Sequence, residues 1–316
     1  MPRFSYIGVF SFMTDFSKTL IRCSSIGSIM TNAKGSFLSS DQDKIDDLEA
    51  KSAAKGLTSA QMTKLGELIL KKKSGSVLSE SCKKYLIRTY ALEKYNRISE
   101  EPQTKQMSKG IICEDDSIDL FCRMEQVFYK KNTQKITNEF LSGTPDLFDG
   151  ETIHTSNEII DIKSSWDIST FLKNIDSDLN PSYYWQIQGY MAISGAKVGT
   201  VAYCLVNTPP EIVNDEKRRL FYKMGVVTEE NREYQLAAAK LEHNMTFDDI
   251  PPEEKVLRFT VERNDADIER IYEKVEKCRV FLAEFEEKHS FFTKNHRKER
   301  LKEMQNGVRS SDDTEC

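Results

Sequence analysis

The residues from Val198 to Val206 (VGTVAYCLV) are apolar almost without interruption. A strand with one wet face alternates apolar and polar side chains, so an unbroken run of this kind reads as a strand covered on both faces, ended by Pro209 and Pro210. Glu158 to Lys163 (EIIDIK) is a second β-type apolar segment. Side chains alternate along a strand, so Asp161 and Lys163 point one way while Ile160 and Ile162 point the other. A carboxylate and an ammonium are then held side by side. Upstream, a short strand ends at Asp146, after Pro145, and a polar loop carrying Gly150 and Asn157 leads back. A hairpin-like return brings Asp146 beside Asp161. Two acidic side chains and one amine that converge suit a hard divalent cation and the water it polarises.

The tripeptide acid-x-Lys alone has no weight, because it occurs five times: at Glu49, Asp161, Asp215, Glu253 and Glu286. Four copies lie in strongly polar or helical surroundings and read as solvated faces. Only the copy at Asp161 sits in apolar β-type sequence with a Pro-Asp turn one hairpin upstream.

Helices are expected around these strands. Asp41 to Lys73 reads as a solvated helical excursion, and Leu78 to Tyr95 as a helix capped by Ser79. From Lys109 to Lys130 the positions Ile111, Ile118, Phe121, Met124 and Phe128 recur at the helical period, with Glu114 inside the same stripe. A carboxylate on a core-facing stripe either meets a cation or donor or marks the stripe's edge. Asn180 and Pro181 open a further helix as N-cap and first residue, and Gly195 closes it. Tyr183, Gln186 and Tyr190 share one of its faces. Leu236 to Met245 reads as helix, Val256 to Glu262 as strand, and Asp265 to Lys288 as a long amphipathic helix, followed by a basic, fraying tail. Arg22, Ser24 and Ser25, around a serine-rich turn, are either a helix start or a contact for phosphate oxygens.

With 316 residues the chain is long enough for a substantial core. It divides into an N-terminal extension (1–20), a main domain (21–288, with the excursion at 41–75) and a basic, polar tail (289–316). No apolar run reaches the length of a membrane span, and the segment Phe4 to Met13 lacks a small-residue cleavage site. The seven cysteines contain no C-x-x-C pair, which argues against a zinc ribbon or iron–sulfur cluster and for reduced thiols in a cytoplasmic protein. The net charge of −5 argues against a non-specific coat on nucleic acid, but an acidic metal site and a basic channel can share one chain. Lys71 to Lys73, Lys83, Lys84, Arg88 and Arg297 are either such a lining or solvated helix surface.

In the order helix (Glu114), strand (Asp146), strand (Asp161 to Lys163), helix (Gln186, Tyr190), strand, the chain resembles the PD-(D/E)xK nuclease superfamily. Within it, the resemblance is to the phage-type, lambda-exonuclease-like recombination exonucleases. It rests on GIICE at 110–114, GTPD at 143–146, EIIDIK at 158–163 and YYWQIQGYM at 183–191, and covers residues 21 to 206. The resemblance implies an α/β fold with a restriction-endonuclease-like core, a central mixed sheet flanked by helices. It implies that Glu114, Asp146, Asp161 and the main-chain carbonyl of Ile162 bind Mg²⁺, with Mn²⁺ as a substitute. Lys163 then orients or deprotonates the attacking water, and Gln186 and Tyr190 brace the site. A 5′-phosphate pocket would use Arg22, Ser24 or Ser25, and Thr144. Family exonucleases commonly carry an arginine shortly after the lysine, and Ser164 to Thr170 has none, which leaves 5′-phosphate dependence open.

The implied activity is resection of double-stranded DNA ends in phage or prophage recombination, alongside a single-strand annealing protein and as a homo-oligomer, a trimer in related enzymes. The alternatives are an endonuclease and a catalytically silent nucleic-acid-binding module.

Overall fold

A computed structural model of the chain describes residues 14–31, 39–73, 78–98 and 103–309. Expectations for residues 1–13 and 310–316, Cys316 included, lie outside the described residues. In chain order the strands are β1 (Ile21–Arg22), β2 (Ile136–Thr137), β3 (Leu141–Gly143), β4 (Leu147–Phe148), β5 (Glu158–Ser164), β6 (Val198–Cys204) and β7 (Val256–Glu262). The helices are α1 (Ile26–Met30), α2 (Ser39–Lys55), α3 (Ser59–Lys73), α4 (Glu80–Tyr95), α5 (Lys105–Ile112), α6 (Glu114–Glu125), α7 (Ile168–Leu172), α8 (Pro181–Ser194), α9 (Pro210–Met224), α10 (Arg232–His243) and α11 (Asp265–Arg309). The chain divides into two compact units, one made of Leu20–Met30 with Glu100–Tyr272, the other of Met1–Thr19, Thr31–Ser99 and Glu273–Cys316.

The first unit is the α/β body. Its larger sheet has the order β4-β5-β6-β7, with β5 and β6 parallel and the other pairings antiparallel. The apolar run at 198–206 supplies β6, which lies between β5 and β7 and is buried from Gly199 to Cys204. Ile160 and Ile162 of β5 face α6 and join Ile118, Leu120, Phe121, Leu147, Ala202 and Cys204 in one apolar cluster. The other face is covered by α8. A Cβ on Gly199 would stand 2.4 Å from Ile187 Cγ1, and one on Gly189 2.2 Å from Ile26 Cδ1. Only glycine allows helix and sheet, and helix and α1, to approach this closely. The caps of α8 are as its sequence predicts: the Asn180 side chain accepts from the Ser182 N–H, Pro181 is the first residue, and Gly195 ends the helix at φ 88°. A second, smaller sheet has the order β1-β3-β2.

Two helical expectations are corrected. The stripe from Lys109 to Lys130 is two helices, α5 and α6, broken at Cys113, whose buried thiol is tied to the Asn207 carbonyl at 3.4 Å. Glu114 therefore opens α6 and does not lie within a continuous apolar face. Ile111 is 63% exposed and Phe128, beyond the left-handed Gln126 that ends α6, is 91% exposed. At the C-terminal side, α11 runs on through the basic segment to Arg309. The stretch after Pro209 is α9, which the sequence reading missed, and the polar connection after Ser164 holds α7, closed by a capping box between Asp167 and Thr170.

The second unit is helical. Ile45 and Leu68 are buried on α2 and α3, and Val275, Cys278 and Leu282 on α11. Glu286 accepts from Tyr90 at 2.5 Å and from Lys94 at 2.5 and 2.7 Å. Several lysines considered for a basic lining are engaged on these helices: Lys71 with Asp41, Lys72 with Gln42 and Lys83 with Glu80.

Candidate active site

The register of β4 and β5 builds the site. Leu147 pairs with Ile160, so the residue before Leu147, Asp146, falls at the level of Asp161 and Ile162. Asp146 Oδ2 accepts the Ile162 main-chain N–H at 2.7 Å. Because side chains alternate on β5, Asp161 and Lys163 lie on the face opposite Ile160 and Ile162, under α8. Asp161 is 1% exposed. Its Oδ1 accepts from Gln186 Nε2 at 3.1 Å, and the same amide group donates to the Tyr190 hydroxyl at 3.1 Å. The Tyr190 hydroxyl donates in turn to the Thr144 carbonyl at 3.4 Å. Lys163 Nζ is 2.6 Å from Asp161 Oδ2 and 4.9 Å from the centre of the Tyr183 ring.

Electrostatics follow from this crowding. Burial and the neighbouring Asp161 carboxylate push the Asp146 carboxyl up to about 7, against the opposing pull of Lys163 and the Ile162 N–H. Burial works against the Lys163 ammonium, yet Asp161 and Asp146 outweigh it and raise Lys163 above its ordinary value. Lys163 is thus charged in the resting protein. Burial and Asp161 also push the Tyr190 hydroxyl up, so it serves as a neutral donor.

Asp146, Asp161, Lys163, Gln186 and Tyr190 are therefore one connected set. Glu114 stands apart, with Oε1 2.9 Å from Lys131 Nζ, which also holds Asp115 at 2.7 Å. Among the described residues no three His, Cys, Asp or Glu side chains are grouped as a metal cluster. Arg22 pairs in register with Ser142 on the neighbouring parallel strand, two residues from Thr144, and Ser24 and Ser25 follow in a 3-10 turn. Arg22, Ser24 and Thr144 are exposed and Ser25 is half-buried. Ile162 contributes its N–H to Asp146.

Several supporting groups were not read from sequence. Asn132, buried, donates its main-chain N–H to the Asp146 carbonyl and its side-chain amide to the Pro145 carbonyl, both at 2.8 Å. Ser117 Oγ of α6 meets Ser164 Oγ at the end of β5 at 2.8 Å. Lys109, with no exposed surface, donates to the Trp166 carbonyl at 2.9 Å, three residues beyond Lys163. Each is a tertiary contact of a residue without local pattern; the Asn-x-Gln turn at 132–134 was the only sequence cue to any of them.

The donor set fits a divalent cation. Asp161 Oδ2 is buried, with the Lys163 ammonium against it at 2.6 Å. A second carboxylate, Asp146, is held close enough to resist ionisation. Two crowded carboxyl groups that repel one another are what a hard cation with oxygen ligands relieves.

No protein-family model matches the chain, and no curated protein sequence matches it. Solved structures do. A phage-related exonuclease from Haemophilus somnus 129PT superposes with a TM-score of 0.56 at 17% identity, over 88% of this chain and 100% of its own. The alkaline exonuclease LHK-Exo from Laribacter hongkongensis, also solved with dAMP, superposes with a TM-score of 0.51 at 13% identity, over 90% of this chain and 97% of its own. The chain shares their fold, the nuclease type of α/β architecture that the four motifs imply.

Proposed function

We propose that this protein is a divalent-cation-dependent deoxyribonuclease that degrades double-stranded DNA from its ends. The observation that carries the reading is the set Asp146, Asp161, Lys163 and Gln186, assembled at one hairpin in a fold shared with two exonucleases. Asp146, Asp161 and the Ile162 carbonyl would hold Mg²⁺ or Mn²⁺. Bound there, the cation supplies charge compensation at the phosphate and an acidified water. The protein's own groups do the rest. Gln186 fixes Asp161 through Oδ1, with Oδ2 beside Lys163, and Tyr190 fixes Gln186. Lys163, at the edge of the set, orients the attacking water and takes part in moving its proton. Asp146 is kept at the register of Asp161 by the Ile162 N–H and by Asn132.

The biological role in this reading is end resection in phage or prophage recombination, in the cytoplasm, with a single-strand annealing protein as partner and a homo-oligomer as the working form. A 5′-phosphate would be met by Arg22, Ser24 or Ser25, and Thr144, which lie on and beside the adjacent strands β1 and β3. One observation favours an endonuclease instead: the segment after Lys163 has no arginine to grip a terminal phosphate. Digestion of linear and covalently closed circular duplex in Mg²⁺, with 5′-phosphorylated and 5′-hydroxyl ends, separates the two. Loss of linear DNA only, faster from phosphorylated ends, is expected. Cutting of the closed circle assigns an endonuclease.

A further inference from the structure

Lys131 has no part in the four motifs, yet its position ties together two acidic segments of the site. Its ammonium lies between Glu114 and Asp115 at the start of α6. Its main chain runs directly into Asn132, which grips the carbonyls of Pro145 and Asp146. The Lys131–Asn132 pair therefore spans from Glu114 to the Asp146 turn. Glu114 is near enough that its charge adds to the upward push on Asp146. With its carboxylate on Lys131, Glu114 has a counter-charge without any cation.

We infer that Lys131 is a positioning residue that holds Glu114 in reserve beside the Asp146–Asp161 pair and yields it when a divalent cation binds. The inference rests on the nuclease reading and names the exchange by which Glu114, apart in this structure, would join the site. A lysine suits this role because its ammonium is a point charge on a flexible stem, released without breaking a planar fork of hydrogen bonds. The pair is about a third exposed on each side, with side-chain exposures of 40% and 34%. It is accordingly weak enough to exchange.

The test is calorimetric titration of the DNA-free protein with Mg²⁺, for wild type, Lys131→Met, Lys131→Arg, Glu114→Gln and the double variant Lys131→Met/Glu114→Gln. Lys131→Met is expected to bind Mg²⁺ about two- to five-fold tighter, the range of an ion pair of this exposure. Lys131→Arg, which keeps the charge and adds a fork of donors, should show no gain and bind Mg²⁺ no tighter than wild type. In the Glu114→Gln background the Lys131→Met gain should vanish, because the carboxylate that would join the site is gone and Asp115, the other partner of Lys131, is 79% exposed. A gain that persists there is a general field effect of removing a positive charge and overturns the exchange. Unchanged or weaker binding by Lys131→Met overturns it as well. If wild type binds no Mg²⁺ at all, the metal-site reading fails and the exchange with it, which is distinct from wild-type binding without the Lys131 effect. Lys131 is on the surface, so these variants should fold.

Discussion

Replacing Asp146 with Asn should make the cation-free protein more stable at alkaline pH, by an amount the site geometry sets. Asn keeps an oxygen that can accept the Ile162 N–H, made at 2.7 Å by Asp146, and removes only the charge. The folded carboxyl titrates near 7, against an ordinary 3.8. Between these values the native protein holds a proton that the unfolded chain has released, so this group's contribution to stability falls as pH rises through about 7. One unit of such a difference is about 1.4 kcal/mol. From pH 5 to pH 8 the single site therefore removes about 2.5 kcal/mol. Urea unfolding in EDTA at several pH values, for wild type and Asp146→Asn, gives the difference directly if the slopes agree. The variant should gain on wild type by about that amount across the interval. Added Mg²⁺ should then stabilise wild type at pH 8 and leave the variant nearly unchanged. A difference between the two proteins that stays flat from pH 5 to pH 8 would refute the electrostatic account of the site.

Gln186→Leu should destabilise the protein by about 1–3 kcal/mol in the same assay, because the buried Asp161 carboxylate loses its amide donor; equal stability would show that Gln186 does not anchor Asp161. Burial lowers the Lys109 ammonium to about 8, partly opposed by Cys113 and Asp167. Its folded value lies below the unfolded one, so wild type should gain about 2 kcal/mol from pH 7 to pH 9.5, a gain that Lys109→Met should lack. Ser117→Ala should slow DNA cleavage by less than tenfold while leaving the fold intact, since it removes one contact to the end of β5 and no group of the connected set; circular dichroism and a cleavage time course check both.

How much of this was open to reading depended on the range of the interactions involved. The alternation at 158–163 and the caps at Asn180, Pro181 and Gly195 are local rules, and β5 and α8 follow them. The hairpin that sets Asp146 against Asp161 was read with Asp146 ending its strand, whereas Asp146 precedes β4 and the return runs through 149–157. Glu114 is different. The 3.6-residue period reads straight through Cys113, and the break there comes with a buried thiol contact to Asn207, 94 residues away. Asn132 and Lys131 act through carbonyls and carboxylates brought to them by folding, and a KKNTQK segment looks like any solvated loop. The extension of α11 past residue 288 was missed because the basic composition was read as fraying, whereas a strongly charged helix can continue without an apolar stripe.

The most direct test of the central claim is single-turnover cleavage of a linear duplex by wild type and Lys163→Ala, in Mg²⁺ and in EDTA, with folding of both verified. The account predicts cleavage by wild type that EDTA abolishes and that the substitution slows by about 10²- to 10⁴-fold, the range of a lost proton-transfer group. Cleavage by Lys163→Ala at the wild-type rate, or no cleavage by folded wild type in Mg²⁺ or Mn²⁺, would contradict it.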